Sequence, residues 1–122
     1  MSLADFHARL AISTILYAFV LGLWAFWRYF RRQGVHSSYF GALVIAEILF
    51  LAQGALGGYM WLIGLRPERG GIHILYGVVG ALTIPGVYAF TKGREERRET
   101  LIYALAMIFA AGIFLRAMTT GG

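Results

Sequence analysis

Four apolar segments, at about 10–29, 39–65, 72–91 and 101–118, occupy most of this 122-residue chain. Each is close to the ~20 residues that a helix needs to cross a hydrocarbon core. That core holds no water for backbone N–H and C=O groups, so each segment must close its own hydrogen bonds as an α-helix. The connections RRQGVHSS, RPERGG and KGREERRE are short and polar, which makes successive helices antiparallel neighbours. The sequence therefore predicts an all-α, integral membrane four-helix bundle in up-down-up-down order. It forms a single transmembrane domain over 1–122, with helices at about 3–30, 37–65, 71–91 and 99–118. No soluble domain is left over, and no internal repeat stands out.

Composition agrees. The chain is 59% hydrophobic and 14% charged, where a soluble domain carries nearer a quarter charged residues. It has no cysteine, which excludes disulfides, thiolate metal sites and a cysteine nucleophile. A net charge of +5 invites a nucleic-acid partner. The basic residues lie between the apolar runs, however, where a membrane protein carries them, so nucleic acid is set aside. Arg28, Arg31, Arg32, Lys92, Arg94, Arg97 and Arg98 fall on the side of the first and third connections, against Arg9, Arg66, Arg69 and Arg116 on the other. That excess puts the first and third connections in the cytoplasm and both termini outside. The charges of the first helix follow its apolar run, and no small-residue cleavage site appears, so a retained helix is expected rather than a cleaved signal. The expected location is a bacterial or archaeal cytoplasmic membrane, with membrane lipid, other membrane subunits or a second copy as partners.

Ser2 and Asp5 form an S-x-x-D pattern that resembles a capping box. It starts the first helix near Leu3 and sets His7 about one turn inside. Trp24, Trp27, Tyr29 and Phe30 at the far end have the character of an interfacial aromatic belt.

Polar side chains within lipid need a reason. His7 opens the first helix and His73 the third, and both helices enter from the outer side. The two imidazoles therefore share one depth, on helices that can sit diagonally in a four-helix bundle. Ala11 and Thr14 follow His7 at i+4 and i+7, as Gly77 and Gly80 follow His73. Those positions share the histidine's face, one and two turns deeper. Two facing walls of this kind leave a flat slot bounded by ring nitrogens, which fits a porphyrin whose iron takes His7 and His73 as axial ligands. Arg9, Arg66, Arg69 and Arg116 lie on the same side and can pair with propionates. The competing reading is close helix packing, for which small residues are also the usual device. Gly54-Ala-Leu-Gly-Gly58 contains a GxxxG pattern that fits such packing with no cofactor. His36 opens the second helix from the other side, ~30 Å away, and is read as a residue of the helix start.

Glu47 stands about eight residues into the second segment, ~12 Å along the axis. It is either a protonated, hydrogen-bonded group or part of a proton or quinone site. Gln53, read as lying on nearly the same face, is expected to hydrogen-bond across the bundle. Pro85 falls inside the third helix, where a kink is expected.

The segment LAQGALGGYMWLIGLRPERGGIHILYGVVGAL, from Leu51 to Leu82, resembles the heme A synthase family. There a Gln, a Leu-Gly-Gly stretch and a G-L-x-P turn precede a histidine that opens the next helix. FHARLA, from Phe6 to Ala11, is similar to that family's helix with a histidine followed by basic and small residues. The resemblance covers helices 1 to 3 and is best from Gln53 to His73. It implies a four-helix heme-binding unit with His7 and His73 as the axial ligands. The family usually duplicates that unit, whereas this chain has one. The family's glutamate three residues before the first histidine is here Ala4, with Asp5 nearest, and its extracellular cysteine pair is absent. Three functions remain open from the sequence. The first is an electron-transfer or accessory subunit of a larger respiratory or photosynthetic membrane complex. The second is a half-size heme A synthase-like enzyme working as a homodimer, and the third a cofactor-free structural subunit.

Overall fold

The structure, a computed structural model, describes residues 2–65 and 70–120. They form four helices: α1 (Leu3–Phe30), α2 (Ser37–Leu62), α3 (Gly70–Thr91) and α4 (Arg97–Thr120). All four are long and apolar enough to cross a membrane. Each packs on two others in a ring, α1 on α2 and α4, and α3 on α2 and α4, so that α1 and α3 stand on a diagonal. Large apolar side chains such as Leu16, Val44, Leu62 and Phe90 point outward. That exposure is the expected state of a bundle whose solvent is lipid.

The helix ends follow their local sequence. Ser2 accepts from the Asp5 N–H and Asp5 reaches back to the Ser2 backbone, a complete capping box at the start of α1. His36 caps α2, its Nδ1 accepting from the Ser38 N–H at 3.0 Å. The second helix stops at Leu62, three residues short of the expected end. Gly64 takes φ +93°, and the Leu65 and Gly64 N–H groups turn back to the carbonyls of Met60 and Trp61. This is a Schellman closure, which glycine permits by adopting the left-handed conformation. Pro85 lies within α3, whose helical assignment continues through it.

The most extensive interface is between α1 and α4. Ala18 and Ala25 of α1 and Ala104 and Ala110 of α4 are fully buried. A Cβ on Gly22 would lie 2.6 Å from the Ile108 Cδ1 and 3.3 Å from the Ile108 backbone nitrogen. The two backbones are thus as close as glycine and alanine allow, and dispersion replaces the hydrophobic drive that lipid cannot supply. The GxxxG of α2 has no such part. Gly54 and Gly58 are exposed, and a Cβ on either would meet nothing within 4 Å. The packing glycine lies in α1 instead.

Hydroxyl groups tie α1 to α2. Tyr39 donates to the Leu21 carbonyl and Tyr17 to the Ala42 carbonyl, each at 2.9 Å. Tyr39 is buried between Trp24 and Tyr103, at centroid distances of 5.1 and 6.2 Å.

The two connections at one end clasp each other. The Val35 N–H donates to the Glu95 carbonyl at 2.9 Å. Arg28 donates twice to the Gly34 carbonyl, and Thr100 donates to the Gln33 carbonyl. Arg97 donates to the Tyr29 carbonyl and lies 4.0 Å over the Tyr29 ring. A Cβ on Gly34 would collide with the Glu95 carbonyl oxygen, so only glycine fits there. Glu99 is fully buried and pairs with Arg98 at 3.1 Å and Arg94 at 3.8 Å. It also sits in the first turn of α4, where the helix dipole favours an acid.

Replacing Gly22 with Leu should force α1 away from Ile108 and lower stability by about 1–3 kcal/mol. Leu at Gly54, which faces lipid, should leave stability unchanged. Unfolding midpoints of the two variants in detergent would separate them.

Candidate functional site

At the end opposite the clasp, the start of α1, the end of α2, the start of α3 and the end of α4 come together around two histidines. The ring centroids of His7 and His73 are 6.3 Å apart, with 63° between the planes. The capping box fixes where α1 begins and hence the height of His7. His73 is the fourth residue of α3. One turn into each helix, both imidazoles are half-buried and face each other across the bundle diagonal.

Each histidine is oriented by a different neighbour. His73 Nδ1 lies 2.9 Å from the Ala117 carbonyl oxygen of α4. A carbonyl only accepts, so this bond places a proton on Nδ1. A backbone carbonyl in this role is the usual device for aiming a metal-binding histidine. His7 is seated on α2. A Cβ on Gly57 would come within 3.3 Å of its Cε1, so the lack of a side chain there makes room for the ring. Gln53, one turn before Gly57, donates from Nε2 to the His7 carbonyl at 2.9 Å. His7 Nδ1 is buried without a hydrogen-bond partner among the described residues.

The spacing suits one metal ion held from both sides. With a nitrogen–metal bond of ~2.0–2.1 Å and each nitrogen about 1.1 Å from its ring centre, two opposed imidazoles have centroids roughly 6.3 Å apart. Among the described residues no group of three or more His, Cys, Asp or Glu side chains forms. A tetrahedral zinc site needs four ligands, whereas a haem iron needs two from the protein because the macrocycle supplies the rest.

The two walls below the histidines differ. Ala11 and Thr14 are buried beneath His7, and Gly77 leaves open space beneath His73. Gly80 does not extend the slot. A Cβ there would collide with the Phe114 ring, and Phe114 packs on Phe50 at a centroid distance of 4.7 Å. The small-residue wall of α3 below His73 is therefore one turn deep and ends on Phe114, not two turns deep.

Of the four arginines expected to face propionates, Arg9 and Arg116 are exposed at this end. Arg66 and Arg69 lie outside the described residues. Glu47 and Gln53 point different ways. Six residues turn a helix by ~600°, a net 240°, so Gln53 faces α1 while Glu47 lines a groove between α2 and α3. Sequence reading also passed over Gly57 and Ala117. Gly57 had a visible signal, its i+4 spacing from Gln53, but the GxxxG pair on the other face drew attention first. Ala117 acts through its backbone, for which the sequence holds no signal.

Substituting Gln53 with Met, which keeps its length, should cost about 0.5–1.5 kcal/mol. It should also loosen the first turn of α1, read as faster amide exchange at residues 8–11. Equal exchange in the variant and the parent would show that the bond does not restrain α1. Neither a protein-family profile nor a curated protein nor a solved structure matches the chain.

Proposed function

We propose that this protein holds one b-type heme between His7 and His73 near the outer membrane face and serves as an electron-transfer or accessory subunit of a larger membrane complex. The observation that carries the proposal is the 6.3 Å separation of two imidazoles on diagonal helices. His7 and His73 would hold the group, which would supply reversible one-electron chemistry. The chain's own residues do the rest. The Ala117 carbonyl orients His73 and holds the proton on its Nδ1. Gly57 seats His7, and Gln53 anchors its backbone to α2. Phe50 and Phe114 close the slot toward the membrane interior and keep its lower edge apolar. Arg9 and Arg116 offer cations to carboxylates on the water side. Both termini lie outside in this reading, on the arginine and lysine asymmetry.

An enzyme of the heme A synthase kind is the weaker alternative. It needs an acid at the edge of the ring, and Asp5 is engaged in the capping box of α1.

Purified protein from a heme-replete host should give a b-type reduced-minus-oxidised spectrum and about one heme per chain by pyridine hemochrome. His7→Ala and His73→Ala should each abolish the low-spin signal, while His36→Ala, at the far end of the bundle, should keep it. No b-type signal in the parent protein would overturn the proposal and leave a structural subunit. Heme A formed on coexpression with a heme O source and a redox partner would favour the enzyme instead.

A further inference from the structure

Away from the histidines, α2 and α3 part to leave a groove of about 610 Å³. That volume lies within the range of small-molecule sites. Glu47 lines it ten residues before Gly57, so it lies ~15 Å deeper along α2 than the histidine level. Its Oε1 is buried and has no hydrogen-bond partner among the described residues. Tyr103 of α4 lines the same groove and is 1% exposed. Its hydroxyl also lacks a partner among the described residues. The Thr91 hydroxyl, which donates to the Tyr88 carbonyl at 3.3 Å, lies beside it. Two groups with unmet hydrogen bonds thus converge on one cavity, in a setting where unmet polar groups are costly.

The rest of the lining says what kind of molecule would meet them. Phe40 and Tyr88 supply aromatic walls, and Ile84 and Val44 supply aliphatic ones. Phospholipid headgroups stay at the interface, well above the level of Glu47. A ligand here needs a small polar head that enters hydrocarbon, a flat shape that lies against aromatic rings, and an apolar tail that passes out between α2 and α3. The geometry points to a site for a lipid-soluble quinone or quinol. One ring oxygen accepts from the Tyr103 hydroxyl. The other donates to the Glu47 carboxylate as a quinol hydroxyl, or accepts from the protonated acid as a quinone carbonyl. Glu95 lines the loop end of the same groove, so acidic groups stand both at mid-depth and at the rim. This site shares no residue with the histidine pair and stands or falls separately from the heme.

The test uses the full-length protein in nanodiscs, with a decyl-substituted benzoquinone as the probe and equilibrium dialysis as the readout. Saturable binding of one molecule per chain is expected. Glu47→Leu and Tyr103→Phe should each weaken it by roughly five- to tenfold, the loss of one hydrogen bond. Val44→Trp, at the exposed rim of the groove, should abolish binding without touching either polar group, and Leu16→Ala on the lipid face of α1 should leave it intact. His7→Ala should bind the quinone as the parent does. Melting curves without ligand would show that each variant is folded. The proposal is overturned by non-saturable partitioning equal in all variants. It is equally overturned if decanol displaces the probe at matching concentration, since that would mean only the tail is recognised.

Discussion

Everything in this bundle depends on how closely α1 and α4 approach. Lipid tails are as apolar as leucine, so burying a leucine between membrane helices gains little. What remains is contact at short range, and Gly22 against Ile108, with alanines above and below, provides it. The seam makes α4 a thin spacer between α1 and α3. With Phe114 set into the hollow at Gly80, α3 is drawn onto the other side of α4. The distance across the diagonal, and with it the gap between His7 and His73, follows from those two contacts.

Polar bonds then select the register. Tyr17 and Tyr39 reach from one helix to a backbone carbonyl on another, as do Gln53 and His73. Backbone carbonyls already serve the helix ladder, and their second lone pair takes these extra donors without breaking it. A slip of one residue along either helix would leave the hydroxyl or amide facing hydrocarbon, so each bond penalises the wrong register more than it stabilises the right one.

Much of this was legible in the sequence. Four spans, their order and the shared depth of His7 and His73 follow from apolar length and helix direction, and the capping box at Ser2 from the S-x-x-D pattern. The misreadings have a common cause: they concern which residue of a distant helix fills a given hollow. Gly80 looked open because the sequence cannot show that Phe114, more than thirty positions later, points at it. Gly54 and Gly58 matched a packing motif yet face outward, while Gly22, outside any GxxxG pair, meets its neighbour. Glu47 and Gln53 lie on different faces, because six residues at 100° each carry them far apart. Periodicity within one helix is readable, but the angle at which that helix turns toward its neighbours is a property of the packed whole.

The clasp between the first and third connections has a mechanical meaning. Arg28, Gly34, Glu95, Arg97 and Thr100 lock one end of the molecule. The histidines sit at the other end, with α1 between them as a lever. From Arg28 to His7 that arm is ~31 Å, so a tilt of about 2° at the clasp moves His7 by roughly 1 Å. The bundle is built as a pair of tongs, stiff at the pivot and responsive at the tips. The seam at Gly22, less than a third of the way along the arm from the clasp, sets how much spring resists such a tilt.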